Sequence, residues 1–341
     1  MTVDWDGTSV LVTGGAGFIG SHLVDHLVEA GADVTVADDF SRGSPSNVEH
    51  HEGVVDLVPV DLTTAAGATR AVEGAEVVFH LAASVGGIHY IQRENVGGLT
   101  PSVLMNHQVL EAARREGVDR LLFASSACIY RQEHDGLNRF SEDRAIPANP
   151  HSTYGWAKVL GEVACRAYHQ DCDLDTASVR IFNAYGPRES LDPASSHVVP
   201  SLCRKAIEAP EGGSIELFGD GTQERGFIYV TDLVEGMVRA IERAADGEPV
   251  NLGNGSEVVT INELAERIID VSGRDLSIEH DTSKPTGTDR YCADTTLMEE
   301  RLDWTPSVGL DEGLRRIYQW ALAELVGPDG RPVAADGGEG A

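Results

Sequence analysis

Lysine is almost missing from this chain. Lys158, Lys205 and Lys284 are the only three, and the remaining basic residues are arginine. Against 55 Asp and Glu, the 26 basic residues leave a formal net charge of −29. A surface of that sign repels the phosphates of nucleic acid and of anionic lipid, so neither is expected as a partner. Self-repulsion at that charge destabilises the compact state unless salt screens it. Carboxylates with so few ammonium groups point to adaptation to a high-salt cytoplasm, as in a halophile. Long apolar runs are missing too, since none approaches the roughly 18 residues that span a bilayer. Met1-Thr2-Val3-Asp4 leads directly into an apolar strand with no secretory signal, so a cytoplasmic address is expected. Cysteine is sparse. Cys128, Cys165, Cys172, Cys203 and Cys292 form no Cys-x-x-Cys pair and no Cys/His cluster of zinc spacing. They read as free thiols, and no metal is expected.

What is present suffices for a real core. Of 341 residues 41% are hydrophobic, which excludes wholesale disorder and fits two domains or one large domain with a smaller one attached. Short apolar strands are expected at 9–13, 34–37, 55–60, 77–81, 121–124 and 176–181. Helices are expected between several of them, at 18–30, 103–116 and 154–170. That alternation argues for an α/β, doubly wound parallel sheet. After Asn183 the rhythm changes. A Pro- and Ser-bearing loop (187–200) precedes a helix near 201–208, a strand at 215–218 and a Gly-rich turn at 219–221. Further helices are expected near 232–244, 261–271 and 310–325. Residues 327–341, rich in Gly, Pro, Ala and Asp, read as a disordered tail.

Thr13-Gly14-Gly15-Ala16-Gly17-Phe18-Ile19-Gly20 sits between the first strand and the first helix. Glycines there allow a tight turn and close approach to a pyrophosphate lying on the helix N-terminus. The second strand ends at Asp38-Asp39, where a carboxylate accepts ribose hydroxyls and repels a 2′-phosphate. That favours NAD over NADP, although Arg42 keeps NADP open. Asp61-Leu62 is placed for the adenine edge. Leu81-Ala82-Ala83 is small enough for the cofactor to pass over.

Tyr154 and Lys158 stand four residues apart on one helix face. A phenol is a poor base at neutral pH, and an adjacent cation, joined by the positive nicotinamide ring, is expected to stabilise the phenolate and lower its pKa. Ser126, ending the fifth strand, is placed to hydrogen-bond the same substrate hydroxyl.

With these residues in view the chain resembles an extended short-chain dehydrogenase/reductase of the NAD-dependent nucleotide-sugar epimerase/dehydratase family. Further markers are His80-Leu81-Ala82-Ala83, Ser125-Ser126-Ala127, Arg180 to Pro187 and Gly219 to Arg225. The resemblance implies a Rossmann domain over 1–183, with a segment near 226–254 returning to it. It implies a smaller mixed α/β nucleotide-sugar-binding domain from 184–225 and 255–326, and a homodimer.

The residues after Ser126 narrow the choice. Dehydratases carry an acid pair there, whereas this chain has Cys128-Ile129-Tyr130. The run Ser125 to Tyr130, with Gly86-Gly87-Ile88, resembles GDP-mannose 3,5-epimerase and GDP-fucose synthase. In those enzymes the cysteine works with a second acid/base group, and His197 stands at the matching position. The synthase has histidine there, while Asp38 and the run from Ala82 to Gln92 lean toward the mannose epimerase. By the same resemblance Gly86, Gly87, Ser126, Asn183, Lys205, Gln223, Arg225 and Arg290 contact the substrate. The expected catalytic set is Ser126, Cys128, Tyr154, Lys158 and His197, acting through a transient 4-keto sugar to invert C3, C5 or both. A thiol and an imidazole both exchange protons near neutral pH. A UDP-glucose-type 4-epimerase and a fucose-synthase-like epimerase-reductase remain open. A non-catalytic NAD-sensing partner is disfavoured by the retained Tyr154/Lys158 pair.

Overall fold

The computed structural model describes residues 3–84, 95–130, 139–284, 286 and 288–326. Strand β1 (Ser9–Thr13) leads into helix α1 (Phe18–Glu29), followed by β2 (Asp33–Asp38), β3 (Asp56–Pro59), α2 (Ala65–Val72) and β4 (Val77–His80). Next come α3 (Asn95–Glu116), β5 (Arg120–Ser126), α4 (Thr153–Cys172), β6 (Asp175–Ile181) and β7 (Ala184–Tyr185). The chain continues through α5 (Val198–Glu208), β8 (Ser214–Phe218), β9 (Glu224–Gly226), β10 (Ile228–Tyr229), α6 (Val230–Arg243) and β11 (Pro249–Leu252). It closes with β12 (Val258–Thr260), α7 (Ile261–Ser272), β13 (Ser277–Asp281), β14 (Arg290–Tyr291), α8 (Thr296–Leu302) and α9 (Leu310–Leu325).

Seven strands form one parallel sheet ordered β11-β6-β5-β4-β1-β2-β3. Strand β1 is flanked by β4 and β2, so the strand order reverses there and a crevice opens beyond the strand ends. Strands β1, β4 and β5 are almost wholly buried, as expected when helices cover both faces of a parallel sheet. One core packs Leu23, Val24 and Leu27 of α1 with Leu233, Met237 and Ile241 of α6. Another packs Ala68 and Val72 of α2 with Val109 and Ala113 of α3 and Cys165 of α4. This is the Rossmann arrangement expected from the strand–helix alternation. A third core gathers α5, α7 and α9 with β8.

A buried ionic network ties the sheet together. Arg180 on β6 holds Glu162 on α4 through two hydrogen bonds of 3.0 and 2.9 Å, and also donates to the Tyr130 hydroxyl. Tyr130 in turn donates to Asn251 on β11 at 2.6 Å. Two helices begin earlier than the apolar pattern predicts, each running through a proline. In α3, Pro101 has no N–H for the carbonyl of Gly97, and the Ser84 hydroxyl donates to that carbonyl at 3.0 Å. In α5, Pro200 falls in the first turn, where no intrahelical N–H is required. Among the described residues no helix is long and apolar enough to cross a membrane.

Candidate active site

The nominated cofactor residues gather at the carboxyl ends of four neighbouring strands. Gly14, Gly17, Phe18, Ile19 and Gly20 follow β1, and Asp38 and Asp39 end β2. Asp61 and Leu62 follow β3, and Leu81, Ala82 and Ala83 follow β4. Gly14 has φ +69°, and a Cβ there would sit 2.9 Å from the backbone N of Ala82. Glycine is therefore required both by the turn and by the close pass of the β4 loop. Helix α1 starts at Gly17 without a side-chain cap, so its first N–H groups remain available to an anion. Asp38 is 7% exposed, and its two oxygens accept the N–H groups of Ala16 at 3.0 Å and Phe40 at 2.9 Å. Its carboxylate thus shapes the glycine turn, while each oxygen keeps a lone pair for a ribose hydroxyl. Asp39 and Asp61 are exposed, and each folds its own loop by accepting from the residue two further on. A glycine cradle, an uncapped helix start and a carboxylate at the second strand's end fit a dinucleotide.

Sequence reading missed a polar chain behind this turn. Thr13 Oγ1 accepts the N–H groups of Leu81 and Ala82 at 3.1 and 3.2 Å, and lies 2.8 Å from His80 Nδ1. The hydroxyl proton therefore goes to Nδ1, and His80 Nε2–H donates to Asn106 Oδ1 at 3.1 Å. Asn106 Nδ2 donates to the Ala157 carbonyl on α4. Burial and the nearby Lys158 cation hold His80 down at about 3, so it is neutral. The cofactor turn is thereby linked to the helix carrying Tyr154 and Lys158.

Ser126, Cys128, Tyr154 and Lys158 come together. Ser126 Oγ accepts the Cys128 N–H at 3.2 Å and stands beside the Tyr154 hydroxyl. Gly155 lets α4 close onto this turn, since a Cβ there would stand 2.6 Å from the Cys128 carbonyl oxygen. Lys158 is 3% exposed. Its ammonium donates to the Ala124 carbonyl at 2.6 Å and lies 5.6 Å from the Tyr154 ring centre. Burial raises the Tyr154 phenol above an ordinary tyrosine, with the neighbouring Cys128 adding to the rise. Burial also raises the Cys128 thiol and lowers Lys158 to about 8.

Tyr291 is a second omission. Its hydroxyl is buried without a well-placed hydrogen-bond partner among the described residues, beside the Cys128 thiol. Its spacing carried no signal, because β14 reaches this place only through tertiary folding. Arg225 lies over the Tyr291 ring at 5.9 Å. Asn183 donates to the carbonyls of Gly226 and Tyr291 at 2.9 and 3.2 Å, fastening both segments.

The other nominated residues are held differently. Arg290 forms an ion pair with Glu224 at 2.7 Å. Lys205 donates to the Glu216 carbonyl and covers the Phe218 ring, and Gln223 donates to Asp220. His197 opens α5 and pairs with Glu189 at 2.6 Å; among the described residues no hydrogen bond or ion pair joins it to the Tyr154 cluster. Gly86 and Gly87 lie outside the described residues, as does the 327–341 segment. Although the cysteines and histidines carry no zinc spacing, Asp25, His50 and His51 converge. Both imidazoles lie on one Asp25 oxygen, while Arg188 occupies the other at 2.7 Å.

The family model for the NAD dependent epimerase/dehydratase family matches residues 10–253. Over 321 residues the chain is 34% identical to GDP-mannose 3,5-epimerase 1 of Oryza sativa subsp. japonica, covering 93% of this chain and 82% of that protein. It is 32% identical to probable GDP-L-fucose synthase 1 of the same plant, covering 94% of each. Among solved structures it resembles UDP-glucose 4-epimerase with UDP-glucose from Thermotoga maritima. That match has a TM-score of 0.84 at 28% identity, covering 92% of this chain and 98% of that one.

Proposed function

The chain belongs to the NAD-dependent epimerase/dehydratase family, and we propose that within it the enzyme inverts C3, C5 or both of a GDP-mannose-like nucleotide sugar. Its general activity is that of an NAD-dependent nucleotide-sugar epimerase. Bound NAD⁺ supplies a reversible hydride acceptor for C4 of the sugar. Gly14, Gly17, Phe18, Ile19 and Gly20 hold its pyrophosphate, Asp38 and Asp39 the ribose, and Asp61, Leu62 and Leu81 to Ala83 the adenine side and floor.

The chain's own residues handle protons. Ser126 and Tyr154 orient the 4-hydroxyl, and Tyr154 takes its proton. Because burial raises Tyr154, its ionisation in the working complex needs positive charge nearby, which Lys158 and the oxidised cofactor both bring. The resulting 4-keto group acidifies the C–H bonds at C3 and C5. One of Cys128 and His197 removes a proton there, leaving an enolate, and the other delivers a proton to the opposite face. Arg225, Arg290 and Lys205 hold the diphosphate and Gln223 and Asn183 the remaining polar groups, with Gly86 and Gly87 beside the sugar. For this role Arg290 must exchange or share its carboxylate partner.

The observation carrying this reading is the half-buried thiol of Cys128, set in the same cluster as Ser126, Tyr154 and the buried Lys158. A dehydratase or a pure C4 epimerase has no need of it there. The test is incubation with GDP-, UDP- and dTDP-sugars in D₂O at high salt. Mass shifts identify the sugar and NMR the exchanging carbon, with exchange at C3 or C5 lost in Cys128→Ala. The likeness in fold to UDP-glucose 4-epimerase favours a second reading, in which the keto sugar turns over and only Tyr154, Lys158 and Ser126 act. C4 inversion unaffected by Cys128→Ala would select it. Stoichiometric consumption of NADPH would instead indicate an epimerase-reductase.

A further inference from the structure

Glu189 is a buried carboxylate that the mechanism above leaves unused. It is 4% exposed. Its Oε1 lies 2.6 Å from His197 Nδ1, and its Oε2 is buried with no hydrogen-bond partner among the described residues. Enclosing a carboxylate with half its acceptors unmet is unfavourable, so packing alone does not account for an acid here. The surrounding backbone is fastened as well. Arg188, at φ +66°, is held by Asp25 at 2.7 Å, and the Pro187 carbonyl lies 3.0 Å from His22 Nε2. Both Asp25 and His22 belong to α1, so the two residues preceding Glu189 are pinned to the first helix. His197 makes no capping bond to α5 although it stands at its start. Its side chain is 65% exposed while that of its partner is enclosed.

We propose that Glu189 is a positioning residue for the epimerisation: it accepts Nδ1–H of His197, fixes the ring, and leaves Nε2 as the nitrogen that exchanges a proton with the sugar. This rests on the role given to His197 above. A carboxylate behind an imidazole selects one tautomer and stabilises the imidazolium. Consistent with that, the hydrogen bond His197 gives to Glu189 raises the imidazole above an ordinary histidine. Cys203, on the buried face of α5, also senses the Glu189 charge. Burial first, and Glu189 second, push it up to about 12, so it stays a neutral thiol.

The experiment combines nitrogen-15 NMR of the histidines in the full-length, NAD-loaded protein with deuterium incorporation from D₂O into GDP-mannose. Wild-type His197 is expected to carry its neutral-state proton on Nδ1. Glu189→Gln is expected to lower its titration and to slow deuterium incorporation on the order of tenfold or more, shifting the pH profile of exchange. Glu189→Asp should restore part of both. If Glu189→Gln folds normally by circular dichroism and moves neither the titration nor the profile, the positioning role is wrong. If His197→Asn leaves exchange intact, the role given to the histidine fails first, and this proposal falls with it. Loss of exchange in His197→Asn beside an unaltered Glu189→Gln overturns only the positioning role.

Discussion

Replacing Lys158 with methionine is expected to stabilise the cofactor-free protein while inactivating the enzyme. The ammonium is enclosed, with the Ala124 carbonyl as its hydrogen-bond acceptor at 2.6 Å and the Phe123 and Tyr154 rings beside it at 4.9 and 5.6 Å. Burial lowers its pKa from 10.5 to about 8. At about 1.4 kcal/mol per pH unit, that is a penalty of about 3 kcal/mol on the charged, folded chain. The unfolded chain holds this proton up to its ordinary pKa. Between about pH 8 and 10.5 it therefore binds more protons than the folded one, and stability rises with pH across that window. Below it the penalty is complete. Methionine removes the charge at similar volume but leaves Ala124 without a donor, which returns about 1–2 kcal/mol. The net gain is about 1–2 kcal/mol at pH 7, a few degrees in Tm at roughly 2–4 °C per kcal/mol. Thermal melts without NAD at molar salt, at pH 7 and pH 10, are the assay. The variant should melt higher at pH 7, with the gap narrowing at pH 10. Its activity should fall by about 10²-fold or more. A variant melting no higher than the parent at pH 7, or a gap that ignores pH, would refute the reasoning.

Three further outcomes are expected. Glu162→Leu strands the enclosed Arg180 guanidinium and should cost about 3–5 kcal/mol in unfolding free energy, and pairing it with Arg180→Met should recover most of that; two losses that simply add would contradict the network. His80 is held near 3 when folded and titrates at 6.5 otherwise, so its contribution is intact above pH 6.5 and fades as pH falls toward 3. Melts of His80→Gln should show a shallower acid limb than the parent. The resemblance implies a homodimer, and we propose that it forms at Trp156, Leu160 and Val163, which share one face of α4 and are 41%, 49% and 53% exposed. Light scattering should find Leu160→Arg at half the parent's mass, and an unchanged mass would move the interface elsewhere.

The glycine turn, the strand–helix alternation and the Tyr154/Lys158 spacing were readable because each depends on residues close in sequence. Asn106, Glu189 and Tyr291 were not. Asn106 acquires its meaning only when α3 brings it against His80, and Tyr291 only when β14 reaches the Cys128 turn. Glu189 and His197 are eight residues apart across an irregular loop, where no helical or strand period relates them. Spacing announced a cation beside Tyr154, but the burial that raises the phenol is a property of the packed core. The starts of α3 and α5 were hidden behind prolines, which end helices in general yet are accommodated here by a serine hydroxyl and by a first-turn position.

The arrival of β11 beside β6 has a consequence for synthesis. During translation the sheet stands with one flank open from residue 181 until residue 249 has emerged, a delay on the order of several seconds at roughly 5–20 residues per second. For that interval a parallel strand edge is exposed to other nascent chains. Split versions should therefore be made by inserting a break within a surface loop and co-expressing both pieces.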